Sequence, residues 1–159
     1  MSARVLDPAC GSRMFWFDKA NPDVIFGDIR SESHTLCDGR SLVIAPDVVL
    51  DFTALPFNDE SFHLVVFDPP HLDNAGPKGW QGLKYGKLPK EWRDYLAKGF
   101  AECFRVLSDN GTLIFKWNET RISLREVLSL TPVKPLFGHT TQNAKTHWIA
   151  FMKLGRSAE

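Results

Sequence analysis

The stretch of this chain best suited to chemistry is Asp68-Pro69-Pro70-His71, an acidic residue followed by two prolines and a ring. Prolines have no N–H, so the Asp68 carboxylate and the neighbouring carbonyls form a cluster of acceptors with few donors of their own. Such a cluster suits a planar amine, whose hydrogens are accepted by Asp68 and a proline-flanked carbonyl while His71 covers a face. Accepting those hydrogens draws the nitrogen lone pair out of conjugation and makes it nucleophilic. A strand that simply ends in a proline-rich turn with a capping aspartate carries the same letters, so the rest of the chain has to decide.

The run before it, His63 to Phe67, is rich in β-branched and aromatic residues and reads as a buried strand that the prolines stop. Three earlier apolar runs end the same way. Arg4-Val5-Leu6 ends in Asp7 and leads into a turn of small residues, Pro8-Ala9-Cys10-Gly11-Ser12. Small side chains there let backbone approach a ligand closely. With a single glycine the turn is not G-x-G-x-x-G, which argues against a dinucleotide pyrophosphate and a nicotinamide enzyme. Val24 to Gly27 ends in Asp28, twenty-one residues after Asp7, close to the spacing of about 20 at which nucleotide-binding α/β domains place a ribose acceptor. Val48-Val49-Leu50 ends in Asp51-Phe52. Four strand-terminal carboxylates are expected along one edge of a parallel sheet, where α/β folds bind ligands.

The connecting pieces are less regular. Arg13 to Lys19 leaves room for about two helical turns, a short first helix. Asp38-Gly39 between apolar neighbours predicts a hairpin, and His34 and Cys37 beside it are assigned no function. From Pro89 a stripe including Tyr95, Leu96, Phe100, Cys103 and Leu107 predicts a core helix ending at Asp109-Asn110-Gly111. Thr112 to Trp117 is the fifth strand, with Lys116 near its end. Ser123-Leu124-Arg125-Glu126 opens a last helix to about Leu130, and Lys134–Phe137 and His147–Met152 are expected to close the sheet as an antiparallel pair.

Between His71 and Lys98 six Lys or Arg face three acids, interleaved with Trp80, Tyr85 and Trp92. The stretch of about 72–90 is therefore read as a lid-like loop able to hold a phosphate backbone or stack a base, with Trp80, Lys84, Tyr85 and the nearby Lys116 as substrate-binding candidates. An ordinary solvated loop is the competing reading. Nineteen basic and nineteen acidic residues cancel, so any pull on nucleic acid is local. Three cysteines without CxxC spacing argue against a disulfide framework or a structural zinc, and no metal is expected. No apolar run approaches the ~20 residues of a membrane span, and the start has no charged-then-apolar leader, which predicts a cytoplasmic protein. The 159 residues read as one domain.

Together the pieces Val5 to Ser12, Asp28, Leu55-Pro56-Phe57 with Ser61-Phe62, and Glu102 to Leu107 leading to Gly111-Thr112-Leu113 resemble the class I S-adenosylmethionine-dependent methyltransferases over nearly the whole chain. Asp68-Pro69-Pro70-His71 further resembles the Asp-Pro-Pro-aromatic tetrapeptide of enzymes that methylate adenine N6, cytosine N4 or guanine N2, and Asp7-Pro8 is similar to the DNA adenine type. The resemblance implies an α/β, Rossmann-like class I methyltransferase fold with a mostly parallel sheet and an antiparallel C-terminal hairpin. It implies S-adenosyl-L-methionine as cofactor, with Asp7, Pro8, Ala9, Cys10 and Gly11 at the methionine, Asp28 and Ile29 at the ribose, and Asp51 with Phe52 at the adenine. Asp68, Pro69, Pro70 and His71 would be catalytic. The implied partner is nucleic acid, DNA before RNA, in a phage or prophage setting, with a homodimer or partner protein assisting target recognition. His71 departs from the family's usual Tyr, Phe or Trp, and residues 1–159 are expected to be a single catalytic domain without the separate target-recognition domain of sequence-specific DNA enzymes. Protein-glutamine or small-amine methylation, and a binding module without turnover, are the alternatives.

Overall fold

In a computed structural model, residues 3–72, 86–139 and 145–155 are described. Seven strands form one sheet in the order β5-β2-β1-β6-β7-β9-β8. They are β1 (Val5–Asp7), β2 (Val24–Asp28), β5 (Val48–Val49), β6 (Phe62–Phe67), β7 (Leu107–Asn118), β8 (Phe137–Gly138) and β9 (Thr146–Met152). Pairs from β5 to β7 are parallel, and β9 joins β7 and β8 antiparallel. The expected mostly parallel sheet with a closing antiparallel pair is therefore present. From β1 the chain winds outward to β2 and β5, then returns to β6 on the other side and winds out again. The winding reverses between β1 and β6, and the crevice outside the carboxyl ends of those strands is where such sheets bind ligands.

One face is covered by α1 (Trp92–Val106), whose Leu96, Phe100, Cys103 and Phe104 are buried. The Phe100 ring lies 5.5 Å from Phe67 and 4.9 Å from Phe115, so the apolar stripe grips β6 and β7 directly below the Asp68 turn. Close approach depends on Gly99, where an added Cβ would lie 2.8 Å from Phe67 and 2.9 Å from Phe52. Gly99→Ala is expected to destabilise the fold by about 1–3 kcal/mol through overpacking, more than alanine's helix preference of about 1 kcal/mol restores. A thermal melt should register a fall of several degrees; an unchanged or raised Tm would contradict this packing.

The structure departs from the sequence pattern at four places. No helix forms between Arg13 and Lys19, which run as successive turns. Arg13 adopts φ 61°, and Asp18 and Asn21 accept from the backbone two residues on, local bonds that compete with a helix. The third strand pairs only over Val48–Val49, although Leu50 N still donates to the Asp28 carbonyl at 3.0 Å. The core helix stops at Val106, because Leu107 is drawn into pairing with Phe62. Asp109-Asn110-Gly111 is then a bulge inside β7, with Asn110 at φ 64°, where the register jumps before Leu64 meets Thr112. The last helix, α2 (Leu124–Leu128), is two residues shorter than expected, though the Ser123 hydroxyl accepts from Glu126 N as the capping pattern requires.

The Asp38-Gly39 hairpin is present: β3 (Glu32–Thr35) pairs antiparallel with β4 (Ser41–Ile44), and Gly39 takes φ 84°. Cys10 and Cys103 are buried and Cys37 is exposed, all as free thiols. Among the described residues no helix is long and apolar enough to cross a membrane, and no group of three His, Cys, Asp or Glu is placed to hold a metal ion.

Candidate functional site

The turn after β1 is held from below. Asp7 is fully buried; its Oδ1 accepts from Ala9 N at 3.2 Å and its Oδ2 from Trp16 Nε1 at 2.8 Å. Burial pushes this carboxyl up to about 7, against those two hydrogen bonds and with the Asp68 and Asp28 charges adding to the rise. Asp7 therefore supports the loop and lies behind the surface that Pro8, Ala9, Cys10 and Gly11 present to a cleft. Cys10 N donates to the Gly27 carbonyl at 2.8 Å, and Gly11, at φ 52°, donates its N–H to Asp28 Oδ2 at 2.8 Å. Burial pushes the Cys10 thiol up to about 12, so it stays protonated and inert.

Asp28 closes β2 at the same crevice. Its Oδ1 accepts from Arg30 N at 2.9 Å, so each oxygen already holds one backbone donor. Each keeps further acceptor capacity, and the carboxylate lines the cleft beside Ile29 and Arg30. A vicinal diol is the ligand such a fixed, paired set of oxygens fits. Beyond it Leu50, Phe52 and Tyr95 form an apolar wall, with the Phe52 and Tyr95 rings 4.6 Å apart. Burial, then the Asp51 and Asp28 charges, push the Tyr95 hydroxyl up to about 12, which keeps it a donor. Asp51 does not line the cleft. It is exposed, and its Oδ1 accepts from Thr53 N and Oγ1 at 2.9 and 2.7 Å, a turn cap.

Asp68 follows β6 immediately, two strands along the sheet from β2, and lines the same cleft with Pro69, Pro70 and His71. Burial pushes its carboxyl up to about 6, and Lys116, whose Nζ is 3.4 Å from Asp68 Oδ2, opposes the rise. His71 is held below its ordinary range by burial and then by Lys116, so it is neutral at pH 7. Its ring meets Trp117 edge-on at 6.2 Å. Lys116 Nζ also lies 5.3 Å from the Phe15 ring and 5.7 Å from the Trp148 ring.

Of the residues singled out in the sequence, the cleft thus brings together Pro8 to Gly11, Asp28, Ile29, Phe52 and Asp68 to His71, with Lys116 bonded to Asp68. Trp80, Lys84 and Tyr85 lie outside the described residues. The described ends of their segment return to the cleft: Leu88 N donates to Leu72 O at 2.8 Å, and Gly86, at φ 77°, lies against Pro70. Several lining residues were not among the candidates from the sequence, Tyr95, Phe15, Arg30 and Lys87 among them. Tyr95 was hidden in an apolar stripe, its hydroxyl the one signal that it is more than packing. Phe15 belongs to a run of three aromatics, Phe15-Trp16-Phe17, beside a loop of small residues. Arg30 and Lys87 carry no signal beyond their charge.

The cleft has about 850 Å³ of empty space, counting its open mouth. A diol acceptor, an apolar wall, a close-approach loop and the Asp68 carboxylate all line it.

No protein-family model and no curated protein matches the sequence. Solved structures do match in fold. A TehB-like SAM-dependent methyltransferase from Corynebacterium glutamicum aligns with a TM-score of 0.62 at 17% identity, covering 96% of this chain and 80% of that one. PH0226 protein from Pyrococcus horikoshii aligns at 0.60 and 17%, covering 96% and 82%. A geranyl diphosphate C-methyltransferase from Streptomyces coelicolor, in complex with geranyl diphosphate and S-adenosyl-L-homocysteine, aligns at 0.54 and 10%, covering 96% and 71%. The chain has the Rossmann-like fold found in these methyltransferases.

Proposed function

We propose that this protein transfers a methyl group from S-adenosylmethionine to the exocyclic amine of a nucleic-acid base, with adenine N6 in DNA the first candidate. The observation that carries the reading is that Asp68-Pro69-Pro70-His71 faces the same cleft as the Pro8 to Gly11 loop and Asp28. The residues present fit the cofactor. Gly11 and Ala9 leave room for the methionine end, the Asp28 oxygens suit the ribose hydroxyls, and Leu50, Phe52 and Tyr95 offer an apolar surface for the adenine.

When bound, the cofactor supplies a methyl group already activated on a sulfonium. The protein's task is positioning, which can account for most of the rate. Asp68 accepts one hydrogen of the target amine, the Pro69 carbonyl accepts the other, and the nitrogen lone pair turns toward the methyl. His71 lies against the base. After transfer the nitrogen sheds a proton, and Asp68 is the carboxylate beside it. A base inside a duplex cannot reach these groups, so the substrate is a flipped-out or single-stranded nucleotide.

The competent form of Asp68 is the carboxylate. With its pKa near 6, the rate should fall about tenfold per pH unit below 6 and flatten above about 7, activity rising with pH. In Asp68→Asn, which keeps an acceptor oxygen and cannot titrate, that limb should vanish from a weaker profile. A pH–rate series on both proteins checks this, and an unchanged limb in the variant would assign the titration elsewhere.

The base assignment is tested by incubating the protein with S-adenosylmethionine and unmethylated DNA, then digesting to nucleosides for mass spectrometry. N6-methyladenine is the expected product; no methylated base in DNA would remove DNA as the substrate.

A further inference from the structure

Lys116 follows Phe115, which pairs with Phe67 at the end of β6, so its ammonium and the Asp68 carboxylate stand side by side, 3.4 Å apart, at the carboxyl edge of two adjacent parallel strands. Only about a fifth of each side chain is exposed, 20% for Lys116 and 21% for Asp68. The ammonium is steered as well as paired. Phe15 and Trp148 meet edge-on at 5.3 Å, and both rings lie within cation–π reach of Nζ. The other charges bearing on this spot are the buried Asp7 carboxyl, which senses Asp68, and His71, which senses Lys116 and is neutral. What results is one fixed acceptor next to one fixed donor, flanked by aromatic rings.

We propose that Lys116 is a specificity residue that donates to an acceptor atom adjoining the target amine, so that the site selects planar –C(=X)–NH2 groups and rejects alkyl ammonium groups. The inference rests on the methyl-transfer reading and deepens it. In adenine the amine N6 is flanked by the acceptors N1 and N7, in cytosine N4 adjoins N3, and a primary carboxamide pairs its nitrogen with an oxygen. Each presents a donor beside an acceptor and is neutral, the complement of Asp68 beside Lys116. An alkyl ammonium presents only donors and meets a like charge at close range, which costs it affinity. Sites built to hydrogen-bond an atom reject analogues that lack it far more strongly than apolar pockets reject a missing methylene.

The test measures labelled methyl transfer to short single-stranded oligonucleotides whose target base is adenine, 1-deazaadenine, 7-deazaadenine, cytosine or 3-deazacytosine, and to a glutamine and a lysine peptide. Wild type, Lys116→Met and Lys116→Arg are compared. Met keeps an apolar stem against Phe15 and Trp148, and binding of S-adenosylhomocysteine reports whether the variant is folded. For the base that wild type methylates, removing the acceptor should cut labelling at least tenfold. That ratio should fall below about twofold in Lys116→Met and persist in Lys116→Arg. Label on the glutamine peptide but not the lysine peptide also supports the assignment. Equal labelling of a base and its deaza analogues by wild type would overturn it while leaving methyl transfer standing, as would label on the lysine peptide. Label in no substrate would overturn the methyl-transfer reading and this inference together.

Discussion

Asp68→Ala is expected to lower kcat by about 100- to 1,000-fold, the usual cost of removing one pre-positioned polar group that acts on the reacting centre. That is roughly 3–4 kcal/mol of barrier. The side chain follows β6 into a rigid Pro69-Pro70 exit and is paired only with Lys116 among the hydrogen bonds described for it, so its removal should leave the sheet intact. It would strand the Lys116 ammonium, whose side chain is only about a fifth exposed, at some loss of stability. Affinity for S-adenosylhomocysteine should stay within about threefold of wild type, because Asp68 follows β6, two strands along the sheet from the β2 that carries Asp28. Single-turnover kinetics with calorimetric measurement of product-cofactor binding separate the two effects. A kcat within tenfold of wild type would leave Asp68 as a turn cap and no more.

Asp28→Ala should act on cofactor binding. Charge-assisted hydrogen bonds contribute about 1.5–3 kcal/mol each, so losing the carboxylate should weaken that binding by roughly 10- to 150-fold for each hydrogen bond made to the ribose. The same change frees the N–H groups of Gly11 and Arg30, which now have Asp28 as acceptor, and loosens the loop proposed to take the methionine end. Asp28→Asn retains one acceptor oxygen and should give an intermediate loss. Titration calorimetry of S-adenosylhomocysteine against the three proteins reads the series, and equal affinities would place the cofactor elsewhere.

Much of this arrangement was legible because chemistry and fold share one device, an apolar strand that stops at a carboxylate on the ligand-binding edge of a parallel sheet. The strand ends at Asp7, Asp28 and Asp68 and the hairpin at Asp38-Gly39 were readable from local pattern alone. What distinguishes the carboxylates from one another was not. Asp7 and Asp28 look alike in sequence, yet Trp16, nine residues on, donates to Asp7 from within an irregular crossover and turns it into a support. Asp51 has the right position but is turned onto Thr53. The bulge in β7 follows from Leu107 pairing with Phe62 forty-five residues earlier, a contact that no window along the chain contains. Tyr95 obeys the helical stripe so well that periodicity assigns it to the core, and only its contact with Phe52 and the charges of Asp51 and Asp28 bring it to the cleft. Lys116 was readable as a cation at a strand end, but its bond to Asp68 and its aromatic neighbours come from three other segments of the chain.

The central claim, that Asp68 directs methyl transfer in this cleft, is tested most directly by offering labelled S-adenosylmethionine with unmethylated DNA, total RNA and a protein lysate to wild type and Asp68→Ala side by side. The account predicts label in the DNA pool with wild type and its loss, by at least a hundredfold, in the variant. Label that persists undiminished in the variant, or no label in any pool from a protein shown to bind S-adenosylhomocysteine, would contradict it.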